Sequence, residues 1–407
     1  MLIEDRQSRG EFLALMAAAS ATVAIAIDAM LPAFATVREH FGLGATAADA
    51  ALIITVFIVG LGAGTLVYGP FADRFGRKPV FLAGLLLYVV AGFATTFAPT
   101  LPLLLVGRFF WGLGAAGPRV VSQAMLRDRY RGNELARAMA IILTVFLIVP
   151  TLAPLLGQAA LQLGSWRYTF AIGPFFAVFV AIWSTRVTES LLPAMRQSLD
   201  PASVARNMGE VLRTRTALGN MLALMFLTAA FLPYLASSER IYNEVYGRGS
   251  QFFLWFAASS VVMAGFTLTT SRLVGRLGTT RTTIGVFTAL VLTAATFAII
   301  TLATAGTPDF AFFVIATTLA ISLTTALTPL LTSRALEDVG HIAGTAASTI
   351  GAVGFIGGAL LSPVVDRAID TTVTPFAVGY LVFGVVAAGA AAWAGTSRAE
   401  TKTSLVA

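Results

Sequence analysis

The sequence predicts an all-α membrane protein of twelve spans, organised as two six-helix halves. Three observations carry that expectation. Mean hydropathy is +0.83 with only 12% charged residues. Twelve apolar runs are each long enough to cross a bilayer, which takes about 20 residues of helix. A basic turn in the first half recurs half a chain later.

Composition removes several alternatives. A soluble domain carries roughly 25% charge, and a chain that is 57% hydrophobic cannot cover its own surface in water. There is no cysteine, which excludes thiolate catalysis, cysteine-bound zinc and disulfides. The two histidines, His40 and His341, are far apart, so no metal site and no cofactor is expected. A net charge of +7 can signal nucleic acid. Here the basic residues sit in short segments between apolar runs, so the bilayer is the expected partner and nucleic acid is not. The polar start, Met1 to Gly10, carries Arg6 and Arg9. The apolar run after it is too long for the core of a cleaved signal and reads as the first span.

The spans are placed near residues 12–37, 48–71, 79–98, 101–126, 135–162 and 166–186. Six more lie near 216–241, 251–274, 281–304, 309–334, 342–366 and 374–396. The division that follows is 1–188 for the N-terminal half, 189–215 for a cytoplasmic linker and 216–407 for the C-terminal half. In the linker, Val204, Met208, Val211 and Leu212 can form the apolar face of a short helix on the membrane surface. A solvated linker fits the same residues equally well.

Arginine and lysine placement sets the orientation. With the N-terminus inside, 20 basic residues fall on the cytoplasmic side and 5 outside. Arg108 and Arg119 remain within a span. Both termini are therefore expected in the cytoplasm of a bacterial inner membrane. The repeat pairs Arg74 and Gly76 of the turn after span 2 with Arg276 and Gly278 of the turn after span 8, at one offset.

The first of those turns reads Gly69-Pro70-Phe71-Ala72-Asp73-Arg74-Phe75-Gly76-Arg77-Lys78. Gly76 permits a tight turn. Arg77 and Lys78 hold it inside. Asp73 at a helix end can pair with Arg74 or a neighbour, or face another helix N-terminus. These residues resemble the signature between spans 2 and 3 of the major facilitator superfamily. The resemblance implies two parallel halves around a central cavity, with Gly69, Asp73, Arg74, Gly76, Arg77 and Lys78 as a gating motif.

Three further stretches resemble the bicyclomycin/chloramphenicol-resistance branch of its drug:proton antiporters. They are Asp28-Ala29-Met30-Leu31-Pro32-Ala33 in span 1, Arg108 to Gly117 with Ala124 to Asp128 in span 4, and Val149-Pro150-Thr151-Leu152-Ala153-Pro154-Leu155-Leu156-Gly157-Gln158 in span 5. Two departures bear on substrate. Trp111 stands where many relatives have glutamine, and Gly157-Gln158 stands where the antiporter pattern ends in two glycines. The resemblance implies a proton-coupled exporter of small amphiphilic compounds, with Pro150, Pro154, Gly157 and Gln158 as an antiport motif and Arg108 tied to coupling; a monomer is expected, with small-molecule substrate and protons as its partners.

The embedded charges are readable without it. An aspartate at the bilayer centre costs about 2.5–3.5 kcal/mol, so Asp28 faces a cavity or a partner, or is protonated. It is the candidate proton or substrate site; a structural hydrogen bond is the alternative. Arg108 stays charged and must find an acid, carbonyls or water. Arg119 lies 11 residues on, about three turns, and so shares its face. Pro150 and Pro154 each remove a helix hydrogen bond. Trp111, Gln123, Gln158, Tyr88 and Tyr234 can line a cavity or simply pack. Glu239 and Arg240 read as a solvated pair at the outer mouth, and His341 as interfacial.

Other classes fit less well. Export of an endogenous metabolite or peptide, with incidental drug efflux, is the nearest alternative. An embedded enzyme wants acids, histidines or a nucleophile clustered at one depth. A receptor wants a soluble signalling domain. No nucleotide-binding Gly-x-x-x-x-Gly-Lys-Ser/Thr loop appears, so ATP does not drive the chain directly.

Overall fold

The computed structural model describes residues 8–43, 51–193, 196 and 200–404. Arg6 of the polar start lies outside them. Among the described residues there is helix and no strand. The α-helices are α1 Arg9–Asp28, α2 Phe34–His40, α3 Leu52–Phe75, α4 Arg77–Thr96, α5 Leu101–Arg129, α6 Gly132–Leu161 and α7 Trp166–Ser184. They continue as α8 Pro201–Arg213, α9 Arg215–Arg240, α10 Phe252–Leu277, α11 Thr279–Ala303, α12 Phe310–Leu336, α13 Ala343–Asp366 and α14 Thr374–Ser404. Among the described residues eleven stretches are long and apolar enough to cross a membrane, and α6 contributes the shorter apolar piece Ile148–Leu161.

The chain forms two compact units. One comprises Met1–Ala45 and Leu52–Asp200, the other Thr46–Ala51 and Pro201–Ala407. In the first, α5 is the central helix and packs along α3 and α4, while α1 packs along α6. In the second, α9 is central and packs along α13 and α14. Each central helix is rich in glycine or alanine at its contacts. Cβ atoms at Gly112 and Gly114 would strike the backbone of α3 and α4. Such close approach of small residues is how membrane helices gain packing without a hydrophobic drive.

The first span lies where it is expected, but its helix is interrupted. The stretch Arg9–His40 covers the expected span 12–37, but it is not one continuous α-helix. The helix α1 stops at Asp28, a 3-10 turn Leu31–Ala33 follows, and α2 resumes. Pro32 explains the stop. It has no N–H to give the Asp28 carbonyl four residues back, and its ring clashes there. Asp28 therefore sits at a helix end rather than mid-helix.

The basic turn also differs from the expected loop. Gly69, Pro70, Asp73 and Arg74 are helical within α3, and Arg77 and Lys78 open α4. Only Gly76 joins them, with φ +104°. Its repeat partner Gly278 alone joins α10 to α11, with φ +79°. Both combine a positive φ with an extended ψ (156° and 161°), a region essentially confined to glycine that costs other residues about 1–3 kcal/mol. A Cβ at Gly278 meets open space, whereas one at Gly76 meets the Glu189 carboxylate. That carboxylate is fixed by three backbone N–H groups (below). Gly76→Ala is therefore expected to lower the unfolding temperature in detergent more than Gly278→Ala. Equal losses would show that Glu189 yields freely.

The linker does hold a helix, α8, within the second unit. Val211 is buried and Val204 and Met208 are half-buried, a stripe at i, i+4 and i+7. Leu212 lies one residue off that stripe and is 45% exposed, so it is not part of the inward face. His341 Nε2 meets Glu210 Oε1 at 2.8 Å and ties α8 to the turn before α13.

Candidate functional site

Asp28 is the last residue of α1 and only 4% exposed. Among the described residues no basic side chain lies within ion-pair distance of it. Around it the chain is held through main-chain atoms. A Cβ at Gly157 would collide with the Ala29 carbonyl, so α6 touches the α1 end there, backbone to backbone. Pro154 is buried one turn earlier on α6, and Pro150 and Gln158 are half-buried.

Arg108 is fully buried. Its Nη1 donates to the Ala26 carbonyl at 3.0 Å and its Nε to the Ile53 carbonyl at 3.0 Å. Ala26 belongs to the last turn of α1, whose carbonyls lack helical partners and carry the negative dipole end. The cation thus caps α1 and clips it to α3. Its guanidinium carbon lies 4.3 Å from the Phe57 ring centroid and 4.9 Å from that of Trp111. Aromatic faces steady a desolvated cation by roughly 2 kcal/mol.

Trp111 is buried in ring contacts with Phe57, Tyr88 and Phe170. Tyr88 donates its hydroxyl to the Thr22 carbonyl at 2.8 Å, another anchor on α1. Both therefore pack; neither lines open space. Arg119 is half-buried and Gln123 is exposed. The structure thus gathers Asp28, Arg108, Trp111 and Gly157 around the α1 end, and leaves Gln123 outside that group. Tyr234 stacks on Phe256 in the second unit, with centroids 5.3 Å apart. An apolar groove of about 510 Å³ runs along α1 between α6 and α7, lined by residues including Ala14, Ala18, Ile25, Val145, Leu152 and Phe176.

The α3–α4 turn carries a polar knot. Arg77 pairs with Asp73 one turn back and, through Nε at 3.0 Å, with Asp128 of α5. Asp73 thus takes Arg77 as its partner. The Glu189 carboxylate accepts from the backbone N–H groups of Arg77 at 2.9 Å, Lys78 at 3.1 Å and Leu191 at 3.0 Å. It supplies the anion that Gly76 cannot, at the N-terminus of α4. Ser190 donates to Asp128, and Lys78 Nζ to the Thr185 carbonyl. Arg74 is exposed and Gly69 half-buried. Glu189 was not a sequence candidate; 112 residues separate it from Arg77.

In the second unit the expected solvated pair Glu239–Arg240 is buried, at 6% and 4% exposure. The reason is local. A π turn, Ile241–Val245, carries α9 onward, so the pair is enclosed rather than at a mouth. Arg240 Nη2 donates to the carbonyls of Asp366 at 3.2 Å and Ile369 at 2.8 Å. Ser237 and Ser362 each donate to the Asp366 carboxylate. Sequence reasoning missed Asp366 altogether. The available signal was an acid inside the limits of an apolar run.

Comparison with known proteins agrees with this architecture. The sequence model of the Major Facilitator Superfamily matches residues 13–362. The chain is 26% identical to an uncharacterized MFS-type transporter, YdgK of Bacillus subtilis, over 91% of this chain and 92% of that one. It is 28% identical to a bicyclomycin resistance protein homolog of Haemophilus influenzae, covering 86% of this chain and 87% of that one. It is 29% identical to the multidrug resistance protein MdtL of Shigella dysenteriae over 56% of this chain and 57% of that one. Among solved structures, a D-xylose-proton symporter superposes with a TM-score of 0.77 at 14% identity, covering 95% of this chain and 97% of that one. These neighbours are transporters, and the likeness to the symporter shows the fold alone. A span broken by proline at a buried acid, a glycine-hinged basic turn and a match across most of the sequence place this chain in the Major Facilitator Superfamily.

Proposed function

We propose that this transporter exports small amphiphilic compounds across the bacterial inner membrane in exchange for protons, as a monomer with both termini in the cytoplasm. Residues 1–188 and 216–407 are the two halves and 189–215 joins them. One observation carries the reading: Asp28 is a buried acid at a helix end, without an ion-pair partner among the described residues. A carboxylate in that place is costly to keep charged, and the cost changes whenever water reaches it. It therefore takes up and releases a proton as its surroundings change, which is the task a coupled carrier requires. Arg108 holds the α1 end that presents it, and Gly157, with Pro150 and Pro154, lets α6 lie against that end. Arg119, Gln123 and Gln158 are second-rank contacts for cargo. The Asp73–Arg77–Asp128 knot is the gating element. The resistance-protein names of two relatives support a drug-like, amphiphilic substrate.

The test is a proteoliposome assay with an imposed pH gradient and a panel of cationic, zwitterionic and neutral amphiphiles, reading internal pH. Proton movement on adding at least one compound is the expected result. Compound movement with a constant internal pH across the panel would overturn coupling.

A further inference from the structure

We propose that Asp366 is a second proton-binding site, and that its protonation decides whether the ends of α9 and α13 stay packed. The proposal rests on the membrane orientation above, which puts this end outside; it does not require that export be proton-driven. The geometry is unusual for a buried acid. Asp366 is 1% exposed. Its Oδ1 accepts from Ser237 at 2.9 Å and its Oδ2 from Ser362 at 2.7 Å. The adjacent cation does not touch it: Arg240 spends Nη2 on the carbonyls of Asp366 and Ile369. Among the described residues no basic group lies within ion-pair distance of the carboxylate.

Two neutral hydroxyl donors, with the charge of Arg240 beside the carboxylate but not paired to it, do not offset the burial of a full charge. A proton from the outside water, added to one carboxylate oxygen, removes that charge. The neutral acid keeps both serine partners, because it donates through its O–H and accepts through the other oxygen. Proton binding therefore favours the packed ends, and proton loss favours their separation and hydration. A ligand that prefers one state shifts the balance toward it. Other charged or titratable groups at this end are Glu239 of α9, Tyr242, Glu244 and Tyr246 in and after the π turn, Arg248 over the Phe310 ring, and Asp309 at the start of α12. Arg367 and Asp370 follow Asp366, and Tyr380 lies on α14. On the remaining neighbours of α13, Glu210 and His341 meet near its other end.

The absence of cysteine gives a clean test. Ser238 is buried beside Ser237, and its hydroxyl has no hydrogen-bond partner among the described residues. Ser238→Cys is a conservative single-thiol reporter, and Ser250→Cys at an exposed position is the control for reagent chemistry. Both are reacted in whole cells with a membrane-impermeant thiosulfonate. Labelling of Ser238→Cys relative to the control is expected to fall several-fold as the outside medium is acidified. Adding Asp366→Asn, a permanently neutral analogue, is expected to hold labelling low at every pH. Should that variant not fold, Ser362→Ala is expected to displace the midpoint of the labelling curve, by removing a donor to the charged form. Asp28→Asn is expected to leave the curve in place. A flat curve in the parent, or an unchanged curve in Asp366→Asn or in a folded Ser362→Ala, would overturn the proposal. So would loss of the response in Asp28→Asn. Because no substrate is added, a normal curve from a protein that moves no protons in liposomes would sink the antiport reading alone.

Discussion

Asp28→Asn is expected to reduce substrate-driven proton movement in liposomes to the level of protein-free vesicles, while the protein stays folded. The first half follows from chemistry: an amide neither binds nor releases a proton near neutral pH. The second half follows from how the α1 end is built. Pro32, not the Asp28 side chain, stops the helix. Arg108 grips the Ala26 carbonyl, Tyr88 the Thr22 carbonyl, and Gly157 lies on the Ala29 carbonyl. All three contacts use main-chain atoms that the substitution leaves in place. Asparagine has nearly the same shape, and a neutral side chain costs less to bury than a carboxylate. The unfolding temperature is therefore expected to hold or rise. Full retention of proton movement would remove Asp28 from the mechanism. Loss of activity together with loss of the folded protein would make it a structural residue.

The contrast between Asp28 and Asp366 shows what the letters reveal. Apolar runs announce spans because a bilayer demands length and greasiness from each helix separately. Gly76 and Gly278 were legible for a similar reason: one residue between two helices must turn the chain by itself, and the requirement is local. Asp28 stood out because it interrupts an apolar run. Asp366 interrupts one too, but the basic Arg367 beside it makes the position read as a span end. Its partner Ser237 is 129 residues away, and nothing local joins them. Glu189 was hidden in the same way. The groups it binds are main-chain N–H groups, and those have no letter in a sequence. Arg108 was half legible. A cation within a span needs acceptors, but the sequence does not say that these are the Ala26 and Ile53 carbonyls rather than an acid. The Glu239–Arg240 pair was misread because helix ends were judged from hydropathy, and the π turn Ile241–Val245 continues past the point where hydropathy falls.

Arg108→Ala is expected to be the most destabilising single change in the first unit, and Arg108→Lys to be milder but still damaging. Removing the guanidinium leaves the Ala26 carbonyl without its donor in a site that water does not reach, a loss of about 1–3 kcal/mol. It also empties the space between Phe57 and Trp111, which adds a cavity cost. Lysine keeps the charge, but a single ammonium on a flexible stem cannot reproduce a planar fork that binds two carbonyls while lying over a ring. Thermal unfolding in detergent is expected to order the three proteins as parent, lysine, alanine. The decisive comparison adds Asp28→Asn to each. If Arg108 acts through main-chain carbonyls, as the geometry has it, the two substitutions add, with an interaction energy within about 0.5 kcal/mol. If Arg108 were instead the counter-ion of Asp28, neutralising one would leave the other charge buried alone, and neutralising both would restore stability. Rescue of Arg108→Ala by Asp28→Asn would therefore overturn the capping role assigned to this arginine.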